Sequence, residues 1–191
     1  MSKRQYFYVN IAKFITEIIG TASIGVFYLI MGDHQVGVFL GYWIVTIFGS
    51  RISGSHFNPA ITLVQMFRSG SACLETKMLG LIYICGQIIG SIIAGFLGIF
   101  LLEPHDNNTD FKTTIEPIGE KKHSIAIISE MFGTAIFVSN FMIHSDKSTR
   151  YSDDKSINSM IIASSYVAAR LMCGGNFVTG IPQYGLHSHF D

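Results

Sequence analysis

Ser53-Gly54-Ser55-His56-Phe57-Asn58-Pro59-Ala60-Ile61-Thr62 is the stretch on which the fold turns. Asn58 is a strong helix N-cap. Pro59 suits the first helical position, where a missing N–H costs nothing and a fixed helical φ helps. Ser53, Gly54 and Ser55 make an extended or turning approach. Residues 60–68 then read as an apolar helix of about two to three turns. Crossing hydrocarbon takes about 20 residues, so this helix is too short to span. It nevertheless lies between long uncharged runs. Irregular backbone and a short helix at membrane depth are tolerated only when buried in protein or lining a wet cavity. The stretch therefore predicts a re-entrant half-helix whose N-terminus points into a pore.

Composition agrees with that setting. Of 191 residues, 49% are hydrophobic and 14% charged, and the charges cluster, which predicts an all-α, multi-pass integral membrane protein. The formal net charge is zero, so no basic surface points to nucleic acid. Cys73, Cys85 and Cys173 are scattered, with neither a disulfide framework nor metal spacing. No cofactor motif, nucleophile–base pair or phosphate loop appears, which argues against an enzyme.

Outward from the signature, residues 1–10 read as a short polar start, and spans are predicted at 11–31, 35–52, 78–102, 124–144 and 156–173. The first is read as a retained span, since it is long and carries Glu17. In the third, Gly86, Gly90, Ala94 and Gly98 recur every four residues and line one face, where another helix can pack closely. Asn107-Asn108-Thr109, in the polar loop 103–123, is a glycosylation acceptor pattern. Lys3, Arg4, Lys13, Arg51, Arg68, Lys77, Lys147, Arg150 and Lys155 fall on one side of the predicted spans. Lys112, Lys121 and Lys122 fall on the other, with Arg170 near that end. The bias predicts an inside N-terminus and an outside Asn107.

The chain also repeats itself. Residues 15–22, ITEIIGTA, match residues 128–135, ISEMFGTA, and both open an apolar span with I-x-E-x-x-G-T-A. Three spans separate the two starts, so the second copy enters the membrane from the opposite side. Inverted repeats of this kind place the functional site near the midplane. Glu17 and Glu130 are costly in hydrocarbon and need partners. They read as acceptors that hold re-entrant backbone by its N–H groups, in preference to a proton relay.

S-G-x-H-x-N-P-A-x-T, flanked by spans and supported by the repeat, resembles the first signature loop of the major intrinsic protein family, the aquaporins and glycerol channels. The resemblance implies an aquaporin-like inverted repeat: a right-handed helical bundle of six spans with two half-helices meeting at the centre. It also implies a homo-oligomer, a tetramer in the family, and His56 as a partner of Glu17. Gly54, Ser55, His56, Phe57, Asn58, Pro59 and Ala60 would line the pore. The loop carbonyls would accept hydrogen bonds from a permeating molecule, and Asn58 would turn its NH₂ toward it. The half-helix N-terminus, carrying about half a positive charge, disfavours cations while neutral solutes pass.

The resemblance runs from about residue 11 to 180, giving an aquaporin-like domain at 1–180 and a tail at 181–191. Residues 174–180, GGNFVTG, resemble the approach to the second signature loop, but Tyr184-Gly185-Leu186-His187 stand where Asn-Pro-Ala-Arg should begin. Five spans are therefore expected here, with the second loop and sixth span missing and little conduction by the chain alone. By offset from the signature, Val38 and Met172 are the constriction candidates. Neither belongs to the aromatic–histidine pair of strict water channels, which widens the solutes to glycerol, urea or ammonia. The leading expectation is a channel for water and small neutral solutes such as glycerol. The alternatives are a non-conducting, channel-derived interaction protein and a proton-coupled transporter using Glu17 and Glu130.

Overall fold

The computed structural model describes residues 2–31, 34–68, 74–102 and 123–172, and these form six α-helices. They are α1 (Lys3–Met31), α2 (Gln35–Gly49), α3 (Pro59–Phe67), α4 (Leu74–Leu102), α5 (His123–Ser145) and α6 (Lys155–Met172). No strand occurs among the described residues.

α1 is longer than the predicted span. It starts at Lys3, so most of the expected polar start is helical. The cause is a reciprocal cap. The Gln5 N–H donates to Ser2 Oγ at 3.2 Å, and the Ser2 N–H donates to Gln5 Oε1 at 3.1 Å, the S-x-x-Q capping box. α2 is shorter than predicted, ending at Gly49. The Gly49 carbonyl collects the N–H groups of Ile52, Ser53 and Gly54 at 2.9, 3.0 and 3.2 Å, which winds the helix out into the signature loop. α4 begins before the predicted span at 78, with its first turn at Leu74.

α1 and α4 pack side by side and run parallel. Gly86 lies against Phe14, Gly90 against Ile18 and Gly98 against Leu29, so the small-residue face of α4 is the face turned to α1. At Gly90 an added Cβ would sit 2.5 Å from the Ile18 carbonyl oxygen. α2 packs on α1 and α6, α5 on α6, and α3 between α4 and α5. The core joins Val38 and Tyr42 of α2, Ile61 of α3, Phe137, Val138 and Phe141 of α5, and Ile162, Ala163, Tyr166 and Ala169 of α6. At its heart Tyr42 stacks on Tyr166 at 4.4 Å, and both meet Phe137 edge-on. Arg170 is fully buried beneath this layer. Its guanidinium lies 4.4 Å from the Tyr28 ring centre and donates to Gln35 Oε1 at 3.0 Å, tying α6 to α1 and α2.

The polarity is that of a protein solvated by lipid. Ile88, Ile92, Phe96 and Phe100 of α4 and Val36, Leu40, Ile44 and Phe48 of α2 are exposed, while Glu17, Gln87, Thr46, Thr62 and Arg170 are buried. Three described helical stretches are long and apolar enough to cross a membrane: Arg4–Met31, Thr76–Leu101 and Ile127–Ser145. Gln35–Gly49 is apolar but shorter, and α6 carries Asn158, Ser159 and Arg170 on its buried face. The chain is an all-α integral membrane protein. Of the five expected spans, three meet the length and apolarity required for crossing.

Candidate functional site

The site is the loop between α2 and α3 with the helix it feeds. Asn58 is extended, at φ −148° and ψ 126°, and its Oδ1 accepts the Ala60 N–H at 2.8 Å, with Pro59 in the first helical turn. The loop before it is tightly wound. Gly54, Ser55 and Phe57 have φ of +93°, +58° and +46°. Left-handed backbone costs a non-glycine residue about 1 kcal/mol or more, so Ser55 and Phe57 must be held. Ser55 is held by its hydroxyl, which donates to the Thr46 carbonyl at 2.7 Å. Phe57 is held by its ring, which fills the space that a Cβ would take at Gly20 and Gly49, and by its N–H.

That N–H donates to Glu17 Oε2 at 2.8 Å, and the His56 N–H donates to Oε1 at 3.2 Å. Glu17 is fully buried on α1. Gln87 of α4 completes its surroundings, with Nε2 donating to Oε2 at 2.8 Å and to Thr62 Oγ1 at 3.0 Å. Thr62 Oγ1 reaches the Asn58 carbonyl at 3.2 Å and His56 Nδ1 at 3.2 Å. The carboxylate thus receives two backbone amides and one side-chain amide, with the Ser53 hydroxyl as a further donor. Hydrogen bonds to a charged acceptor are worth roughly 1.5–3 kcal/mol each, which offsets burial of the charge and the strained loop. His56 does meet Glu17, but through its backbone. Its ring turns to Thr62 and packs edge-on against Tyr83 and Phe141.

The outer turn of the loop is pinned by the Tyr83 hydroxyl, which donates to the Ser53 carbonyl at 2.8 Å. The Thr21 hydroxyl reaches the Phe57 carbonyl at 3.5 Å. Among the described residues nothing donates to the carbonyls of Gly54, Ser55 and His56. Gly54 is exposed and His56 part-buried, so their carbonyls, followed by a capped helix N-terminus, can exchange hydrogen bonds with a small neutral molecule in passing, while Ser55 is fully buried between them.

The other candidates are placed less centrally. Val38 lies in the aromatic core of α2, α5 and α6, while Met172 is 58% exposed at the end of α6. Glu130 is part-buried on α5, apart from the Glu17 network, with Oε1 unpaired among the described residues. Asn107 and residues 173–191 lie outside the described residues. Gln87, Tyr83, Thr46 and Thr21 are site residues that sequence reading passed over. For Gln87 the signal was present, since it is the single carboxamide in an uncharged span.

Comparison with known proteins adds the following. The profile of the family described as Major intrinsic protein matches residues 30–182. The glycerol uptake facilitator protein of Bacillus subtilis (strain 168) is 28% identical over 151 residues, covering 70% of this chain and 52% of the relative. The chain thus spans about half the length of that relative.

Proposed function

Since the chain belongs to the major intrinsic protein family, we propose that it forms a channel passing water and small neutral solutes of the glycerol type. The observation that carries this reading is the seated half-helix. Among the described residues nothing donates to the carbonyls of Gly54, Ser55 and His56, which lead to an N-terminus capped by Asn58, with the His56 and Phe57 N–H groups held by Glu17. Gly54 and His56 supply the acceptor ladder, and the Asn58 amide nitrogen supplies the donor beyond it. Pro59 and Ala60 start the helix close to that point. Phe57 serves by its ring as the wedge that shapes the loop. The helix N-terminus holds a positive potential where the solute passes, which repels cations and leaves neutral solutes free. Similarity to a glycerol uptake facilitator supports a polyol-permeable lumen. Val38 and Met172 are proposed as wall positions, Glu130 as the second loop support, and the assembly as a homo-oligomer in the lipid bilayer. Residues 1–180 are proposed as one aquaporin-like unit.

The test is stopped-flow light scattering of vesicles holding the chain alone, and the chain joined after Gly180 to an Asn-Pro-Ala-Arg loop and a sixth span. Glycerol and water flux above empty vesicles, without proton current, is expected from the joined form. Absence of flux from both forms, or accumulation driven by a pH gradient, would refute the channel reading.

A further inference from the structure

The Thr62 hydroxyl has three polar neighbours. Gln87 Nε2 lies 3.0 Å away, the Asn58 carbonyl oxygen 3.2 Å and His56 Nδ1 3.2 Å. A hydroxyl offers one hydrogen and two lone pairs, so all three contacts are met only if it donates once and accepts twice. Gln87 must donate. Its second Nε2 hydrogen goes to Glu17 Oε2 at 2.8 Å, and turning the amide over would set its oxygen against the carboxylate. The Asn58 carbonyl can only accept. It takes the Thr62 N–H at 3.1 Å on one lone pair, and the Thr62 hydroxyl hydrogen goes to the other. That leaves one lone pair on Thr62 Oγ1, and His56 must donate to it from Nδ1. The opposite distribution, with the Thr62 hydrogen on His56, leaves two oxygens 3.2 Å apart with no hydrogen between them. A neutral imidazole carries one N–H, and the bond made by one ring nitrogen settles the state of the other. Nε2 is therefore bare. The order begins at Glu17: the carboxylate orients the amide, the amide the hydroxyl, and the hydroxyl the ring.

The ring is also held in place. Tyr83 and Phe141 meet it edge-on at 5.2 and 5.9 Å. Its Nε2–Cδ2 edge lies toward Gly54, with both atoms 3.8 Å from the position a Cβ there would take. Gly54 is exposed and His56 part-buried. Among the described residues Nε2 has no hydrogen-bond partner. A bare acceptor in a half-buried place is costly unless a donor reaches it, and the open side is that of Gly54.

We propose that the His56 side chain, held as the Nδ1–H tautomer, is a solute-contacting group whose Nε2 accepts a hydrogen bond from the hydroxyl of a passing water or small polyol. This rests on the channel reading above. It adds a side-chain acceptor to the loop carbonyls. It also gives Gln87 and Thr62 a task at the passage that neither touches: they fix which ring nitrogen is the acceptor.

Solid-state nitrogen NMR tests it on the full chain, isotope-labelled and reconstituted in lipid at mildly alkaline pH, with the ring identified by sequential assignment through residues 55–58. The expected result is a protonated Nδ1 and a bare Nε2. Hydroxyl hydrogens of water and of added glycerol should transfer magnetisation to Nε2 and not to Nδ1. Thr62→Val keeps the shape and removes the acceptor, so most rings should convert to the Nε2–H form that histidine prefers in water. Thr62→Ser should keep the Nδ1–H form. An Nε2–H or doubly protonated ring in the unaltered chain would overturn the proposal. So would a bare Nε2 that receives nothing from hydroxyl hydrogens, or a tautomer unmoved in a folded Thr62→Val variant. These signals report the ring and not transport, so their failure is distinct from absence of flux in the vesicle assay.

Discussion

Glu17→Gln should unseat the signature loop and destabilise the protein by about 3 kcal/mol, the scale of breaking a buried charged hydrogen-bonded group. The substitution keeps the shape and changes the chemistry. The carboxylate accepts from His56 N–H on one oxygen and from Phe57 N–H and Gln87 on the other. An amide offers a single acceptor oxygen, so one of the two backbone N–H groups must then face an NH₂ group. If the oxygen serves Phe57, His56 N–H is orphaned. In the other orientation, Phe57 and Gln87 both point donors at a donor. Phe57, at φ +46°, then loses a bond that holds its strained backbone. The readouts are thermal aggregation of the detergent-solubilised protein and protease cleavage within residues 50–58. A variant with unaltered melting and unaltered resistance would remove Glu17 from its supporting role. A proton-coupled role instead predicts intact folding with lost pH-dependent uptake, which the same samples can show.

The second large effect is expected at Gly90. Its Cβ position lies 2.5 Å from the Ile18 carbonyl oxygen and 2.9 Å from Thr21 Cβ. A backbone oxygen inside a helix cannot rotate away, so Gly90→Val must push α4 off α1. Overpacking of this kind costs about 3 kcal/mol. The separation also draws Gln87, one turn away on α4, from Glu17, so the loop seat weakens with the helix pair. Two comparisons give the prediction its shape. Gly95 has nothing within 4 Å of its Cβ position, so Gly95→Ala should be neutral. Gly98 meets the Leu29 side chain, which can change rotamer, so Gly98→Ala should fall between them. Yield of monodisperse protein and its melting temperature measure all three. Equal behaviour of the Gly90 and Gly95 variants would refute the close-packing account.

Some of this was legible because it is local. Asn58 and Pro59 cap a helix through neighbouring atoms, so the sequence at 58–60 suffices. The α4 face was legible because a four-residue period survives without knowledge of the partner helix. Ser2 and Gln5 were equally local, yet their capping box was missed because hydropathy marks where hydrocarbon begins and says nothing of where a helix begins. The seat of the loop was harder. Glu17 read as an acceptor for re-entrant backbone N–H groups, and the N–H groups of His56 and Phe57 are its donors, but which residues share the carboxylate with them was not local. Gln87 stands 70 residues from Glu17, and only the packing of α1 on α4 joins them. Arg170 read as a charge near a span end. Its burial under Tyr28 and Gln35 depends on α1, α2 and α6 arriving at one point.

The same separation sets an order of events during synthesis. Glu17 emerges first, residues 56 and 57 about forty residues later, and Gln87 later still. At roughly 5–20 residues per second, the loop exists for seconds with its carboxylate but without the amide that shares it. The seat is therefore latched in two stages, and a chain arrested before α4 presents a half-latched loop. Ribosome-arrested chains ending before and after α4 should differ in cleavage at residues 50–58, and identical cleavage would show that the latch closes in one step. In the interval between α3 and α4 the Glu17 carboxylate holds the loop without the Gln87 amide that ties it to Thr62.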